Sequence, residues 1–279
     1  MGVRSVALAA VAFAAAACSS TTAVQISGAH APTPDRASTS AAPATLPTTT
    51  TIAATSTTTS PTTAADYAAA LQPVIGSLPS RSCLVVGRGG TPLVDHNGDL
   101  SLVPASTQKL LVGAAALEAL DAGQVVLVGE MLRNSDRDAA ERLLSALGGI
   151  SSLRAWLATT GLDGAGVVIN DGTGFDLGNR LSCRFLVALL DRAGPASALA
   201  SALPVAGETG TLADRLKGTP AVGQLEAKTG TLRGVSALAG FATGRDGSAL
   251  TFAIIVNAPG ADSDADRLWS AVATALVTA

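Results

Sequence analysis

The chain has 279 residues, a formal net charge of −3 and only 14% charged side chains. That balance offers no basic face for a nucleic acid, and none is expected as a partner. Two histidines, His30 and His96, cannot furnish a Ser-His-Asp triad or a zinc site, and no glycine-rich phosphate loop is present, so no metal or other cofactor is implied.

Met1 to Ala17 is apolar with a single basic residue, Arg4, which reads as a signal peptide rather than a membrane span. Its end, Ala15-Ala16-Ala17-Cys18, resembles a bacterial lipobox, in which Cys18 carries a lipid anchor; an ordinary Ala-x-Ala cleavage is the alternative. Residues 1–18 are therefore expected to direct export to the cell envelope, with the mature chain tethered to the outer face of the plasma membrane. From Ser19 to Ala65, 38 of 47 residues are Ser, Thr, Pro or Ala. Such a stretch buries too little apolar surface to offset its ordering entropy, and as a flexible coil it would span roughly 40 Å. A disordered tether over 19–65 is expected, leaving 66–279 as one folded domain.

Within that domain, Asp66 to Leu78 reads as a helix. Arg81 to Val86 and Thr91 to Asp95 read as two strands of a hairpin around Gly87-Arg88-Gly89-Gly90. Ser101 to Ala122 predicts a helix that is apolar nearly all round, hence central and buried. Val125 to Leu147 is helical but interrupted at Arg133 to Asp138; Ser151 to Thr160 is a helix, and Val167 to Asn170 a short strand. Asp171-Gly172-Thr173-Gly174 is a tight loop, Asn179 to Ala193 a helix, and Pro204 to Ala221 a loop with a short helix. Leu225 to Thr231, Ser236 to Ala242 and Leu250 to Asn257 are strands, the last two joined by a turn at Gly244 to Gly247. Asp262 to Asp266 opens a final helix through Thr278. Strands at both ends with helices between them predict an α/β (α+β) fold, an antiparallel sheet flanked by helices, with a helical lobe over about 110–200. Cys83 and Cys183 are either a disulfide, as export would permit, or two buried thiols.

Lysine usage singles out candidate chemistry. The chain has three lysines against fifteen arginines. Arginine is effectively never neutral, so it cannot take up a proton as a lysine can. Lys109 lies in Ser106-Thr107-Gln108-Lys109, where positions i and i+3 share a helix face, and Lys228 lies in Lys228-Thr229-Gly230-Thr231. A serine beside a lysine neutralised by burial is a way to build a nucleophile without histidine.

The order Pro104-Ala105-Ser106-Thr107-Gln108-Lys109, Ser135-Asp136-Arg137, Asp171-Gly172-Thr173-Gly174 and Lys228-Thr229-Gly230-Thr231 resembles the serine D-alanyl-D-alanine carboxypeptidase/endopeptidase family. Those are the class C low-molecular-mass penicillin-binding proteins, peptidase family S13. Leu203 to Gly207, Gly210 to Leu212 and Gly234 to Ser236 add to the match, which covers roughly residues 80 to 258. The resemblance implies a β-lactamase/transpeptidase-like fold and peptidoglycan stem peptides and β-lactams as ligands. It implies catalytic roles for Ser106 (nucleophile), Lys109 (base), Ser135 (proton relay) and Lys228 (positive potential). It implies substrate binding by Thr229, Gly230 and Thr231, with the backbone N–H groups of Ser106 and Thr231 as the oxyanion hole. Two features depart from the pattern. Arg137 stands where the family's Ser-x-Asn motif has asparagine, and only 25 residues separate Lys109 from Ser135 where class C members carry large insertions. They motivate the alternative of a weak or inactive envelope lipoprotein that binds peptidoglycan or a partner. A β-lactamase ranks lower, because no Glu-x-x-x-Asn-like deacylation element follows Ser135.

Overall fold

The computed structural model describes residues 61–121, 123–162, 164 and 166–279. Cys18, the expected signal peptide and the expected tether up to residue 60 lie outside the described residues.

The first helix, α1 (Ala64–Ser77), starts two residues before the expected position. Thr63 and Asp66 satisfy each other's backbone N–H groups there in a capping box. Five strands follow the chain as β1 (Ser82–Arg88), β2 (Thr91–His96), β3 (Leu225–Leu232), β4 (Val235–Thr243) and β5 (Ala249–Asn257), and they pair antiparallel in the order β2-β1-β5-β4-β3. β1 runs two residues beyond its β-branched segment, because Gly87 and Arg88 keep pairing with Pro92 and Thr91, and the turn narrows to Gly89-Gly90.

One face of the sheet carries α1 and the C-terminal helix α8 (Ala265–Thr278). Tyr67, Leu71, Leu84, Leu238, Phe252, Ile254 and Trp269 form its core. Burying a side chain such as Phe252 contributes about 1.5–3 kcal/mol. The other face carries the helical half: α2 (Lys109–Ala119), α3 (Gly123–Asn134), α4 (Arg137–Ala146), α5 (Gly149–Thr160), α6 (Cys183–Ala193) and the single turn α7 (Ala198–Ser201). Residues Lys109 to Ala116 of α2 are all buried, as its uninterrupted apolar sequence requires.

Three expectations change. Residues 101–104 are not helical: Leu102 bridges Leu181, and a 3-10 turn, Ala105–Gln108, precedes α2. The expected strand at Val167 to Asn170 reduces to one bridge, Val168 with Arg180. That pairing holds Arg180 and Leu181 extended, so α6 begins only at Cys183, where the Ser182 side chain accepts from Phe185 N.

Two cross-links register the helical half against the sheet. Asn257, at the end of β5, clamps the segment entering the 3-10 turn: its Oδ1 accepts from Val103 N at 2.8 Å and its Nδ2 donates to Val103 O at 3.1 Å. Cys83 on β1 and Cys183 at the head of α6 form a disulfide across a sequence separation of 100. A loop of that length loses substantial unfolded-state entropy when closed. The Cys83→Ala/Cys183→Ala double variant is expected to lose about 2–4 kcal/mol of stability, read as a lowered denaturant midpoint against the oxidised parent. An unchanged midpoint would show the bridge to be incidental.

Candidate active site

The 3-10 turn at the head of α2 puts Ser106 and Lys109 together. Lys109 is fully buried, and its Nζ lies 3.1 Å from Ser106 Oγ while donating to Thr173 O at 2.6 Å. Burial is the largest influence on this amine and, with the positive charge of Arg137, outweighs the opposing carboxylates of Asp171, Asp136 and Glu141. The pKa falls to about 8. A neutral amine can donate one N–H to the Thr173 carbonyl and still offer its lone pair to the Ser106 hydroxyl.

Strand β3 closes against this turn from the other side. A Cβ on Gly230 would sit 2.9 Å from Pro104 O and 3.1 Å from both Ser106 N and Thr107 N. Only glycine lets β3 approach the Ser106 backbone this closely, which gives the third residue of Lys228-Thr229-Gly230-Thr231 a steric reason. β3 is an edge strand. Its outer side is covered near Leu225 to Ala227 by Pro204 to Ala206, and Thr231, next to Gly230, is exposed. An open strand edge beside a serine is suited to an extended peptide.

Lys228 is fully buried and donates to Thr229 O at 2.8 Å. Burial pushes its pKa well below the ordinary lysine value, and the charges of Lys109 and Arg215 push the same way. Thr229 Oγ1 donates to Thr211 Oγ1 at 2.9 Å, so a third threonine joins the Thr229 and Thr231 pair.

The Asp171 to Asn179 loop holds Lys109 in place. Asp171 accepts from the backbone N–H groups of Thr173, Gly174 and Asp176 and from the Asn179 side chain. Its partial burial raises the carboxyl pKa, but these bonds outweigh that and hold it below the ordinary range. The buried Asn179 in turn receives Gln108 Nε2 at 3.1 Å and Asn170 N at 2.7 Å, tying the loop to the Ser106 turn. Gly174, at φ +79°, lies so close that a Cβ would strike Ala105 O at 1.9 Å.

Ser135 stands at the junction of α3 and α4, half-buried, with φ +58°. Among the described residues no hydrogen bond joins it to Ser106, Lys109 or Lys228. The next residue, Asp136, caps α4 by accepting from Ala139 N at 2.9 Å. Arg137, in the place of the motif's asparagine, is exposed, and its guanidinium sits over the Phe175 ring, 4.2 Å from the centroid. Thr173 and Thr211 lie in segments that carry the family resemblance but had no assigned role, and Asn179, Asn257 and Phe175 carry no spacing signature; they act through backbone contacts or partners far along the chain.

The sequence profile of the D-Ala-D-Ala carboxypeptidase 3 (S13) family matches residues 84–126 and 124–276. The chain belongs to that family. It is 37% identical over 185 residues to a D-alanyl-D-alanine carboxypeptidase from Actinomadura sp. (strain R39), covering 59% of this chain and 34% of the relative. It is 34% identical over 168 residues to Carboxypeptidase DacB of Mycolicibacterium smegmatis, covering 53% of this chain and 36% of that one. The chain thus spans about a third of the length of these two curated relatives.

Among solved structures, a class A β-lactamase representative from Bacteroides cellulosilyticus superposes with TM-score 0.61 at 18% identity, over 77% of this chain and 98% of that one. PBP-A superposes with TM-score 0.59 at 20% identity, over 74% and 94%. These likenesses carry the fold alone.

Gly230→Ala is expected to displace the Ser106 backbone and cut reactivity toward a fluorescent β-lactam at least tenfold while leaving the far-ultraviolet circular dichroism intact. Undiminished labelling would refute the close approach of β3 as a requirement of the site.

Proposed function

We propose that this protein is a serine-type D-Ala-D-Ala carboxypeptidase/endopeptidase acting on peptidoglycan stem peptides, and that β-lactams acylate the same serine. The carrying observation is the 3.1 Å contact between Ser106 Oγ and the buried, partly neutral Lys109 amine. Membership of the family and the carboxypeptidase activity of the Actinomadura and Mycolicibacterium relatives support the substrate class.

In this reading Ser106 Oγ attacks the carbonyl carbon between the two D-alanines as its proton passes to Lys109 Nζ. The backbone N–H groups of Ser106 and Thr231 receive the developing oxyanion, a contribution of about 3–4 kcal/mol per donor in acyl transfer. The C–N bond then breaks, and the proton passes from Lys109 to the departing amine through Ser135. Thr229, Thr231 and Thr211 hold the C-terminal carboxylate under the positive potential of Lys228. Water attacks the ester on Ser106, and the serine recovers its proton as the shortened peptide leaves. Catalysis of this kind needs Lys109 neutral.

The wild-type chain is expected to take a fluorescent penicillin label and release D-alanine, and Ser106→Ala to do neither. An unlabelled wild type, or equal labelling of Ser106→Ala, would overturn the assignment. Because the neutral amine is the active form, acylation should climb about tenfold per pH unit below the Lys109 pKa of about 8 and level off above it. A rate independent of pH between 6 and 9 would remove Lys109 as the base.

For location we propose export and a lipid on Cys18, supported by the Ala15-Ala16-Ala17-Cys18 sequence and the Ser/Thr/Pro/Ala-rich stretch after it. An alkyne-tagged fatty acid should label the chain in cells and fail to label Cys18→Ala; equal labelling of both would refute the anchor.

A further inference from the structure

The proposed chemistry uses the charge of Arg137 through Lys109 but leaves its N–H donors without a task. Its guanidinium uses one face on Phe175, at 4.2 Å from the ring centroid, and so keeps its N–H edge free. Among the described residues none of those donors has a hydrogen-bond partner, and no carboxylate forms an ion pair with it, although Asp136 and Asp138 flank it in sequence. Asp136 has spent Oδ1 on Ala139 N.

The shelf is fixed to the site. Phe175 is two residues past Thr173, whose carbonyl holds Lys109 Nζ at 2.6 Å, and Arg137 is two residues past Ser135. Phe175 is 55% exposed, so the guanidinium lying on its ring is open to solvent on its other side. The charge of Arg137 also reaches Lys109. The guanidinium therefore stands at the mouth of the site on its helical side, with its plane set by the ring.

We propose that Arg137, shelved on Phe175, is a binding subsite for a carboxylate carried on the acyl side of the substrate. The C-terminal carboxylate of the leaving residue is met by the threonines of β3, so a second cation on the helical side faces the other half of the peptide. A planar guanidinium with a free edge matches a carboxylate in a two-point contact. Asp136, Asp138 and Glu141 nearby disfavour a polyanion. This inference rests on the peptidase reading for its substrate, and it assigns to the departed asparagine position a selectivity that an amide would not give.

The test uses N-succinyl-, N-glutaryl- and N-adipyl-D-Ala-D-Ala, each paired with its ω-amide, on the full chain. For the acyl length that fits, wild-type kcat/KM should favour the acid about tenfold over the amide. Arg137→Gln should bring that ratio close to one. Arg137→Lys, which keeps charge but loses the stacked plane, and Phe175→Leu should each give an intermediate ratio. Penicillin labelling of Ser106 in every variant reports that fold and nucleophile are intact.

Labelled wild type with an acid-to-amide ratio of one at all three lengths would overturn the subsite and leave the peptidase reading standing. Equal acceleration of acids and amides in Arg137→Gln would also overturn it, making the guanidinium an obstruction. Should wild type take no label, the peptidase reading fails; calorimetric binding of the same pairs to Ser106→Ala then decides the subsite alone. An acid preference that Arg137→Gln abolishes supports it, and equal binding refutes it.

Discussion

Two lysine side chains are fully buried in one site, close enough to feel each other's charge. Burying an unpaired ammonium is costly, and doing so twice in one place is worse, so the two amines are not readily protonated together. The direct partners follow from this. Lys109 meets a hydroxyl and a peptide carbonyl, and Lys228 a peptide carbonyl; among the described residues neither forms an ion pair. A carboxylate placed against Lys109 would have locked the proton on it. Asp171, the nearest acid in its loop, is instead saturated by three backbone N–H groups and an amide, which commits its charge to shaping the loop.

Holding an amine by carbonyls requires backbone placed accurately, and this accounts for much of the fold around the site. The Thr173 carbonyl is aimed by the Asp171 and Asn179 network, and Gly174 lets that loop lie directly on Ala105. The Ser106 turn is held from three directions: by Asn257 through Val103, by Gly230 through β3, and by Gln108 through Asn179. Those contacts come from the sheet's C-terminal strands, its edge, and the helical half. Ser106 sits where the halves meet, and the Cys83–Cys183 bridge joins the same two halves at β1, in the cross-strand row that runs Gly230, Ala237, Ile255, Cys83.

How much was legible beforehand follows the range of each contact. Ser106 and Lys109 are three residues apart, so local spacing brings them together and the sequence shows it. The strands and most helices were visible for the same reason, since periodicity is a local property. The start of α6 was not, because Arg180 and Leu181 are held extended by Val168 and Leu102, and no propensity within Asn179 to Ala193 announces that pairing. Thr211 meets Thr229 across 18 residues and Asn257 meets Val103 across 154, and neither threonine nor asparagine stands out by type. The glycine of Lys228-Thr229-Gly230-Thr231 was noticed as a motif, but its reason, the backbone of Ser106 pressed against it, is purely tertiary.

Arg137 shows why reading a departure from a motif as simple loss can mislead. Removing the asparagine takes away an amide near the nucleophile, yet the replacing charge works in the direction the site already needs. It opposes protonation of Lys109, together with burial and against Asp171, Asp136 and Glu141. The same guanidinium is kept from folding into the cleft by a ring that the Asp171 loop presents, so the loop that grips Lys109 by a carbonyl also positions the cation that helps keep it neutral. A substitution that left the amine protonated or the cleft filled would fit a decayed site. One whose charge and shelf both come from elements already committed to the lysine fits a site that has been adjusted around it.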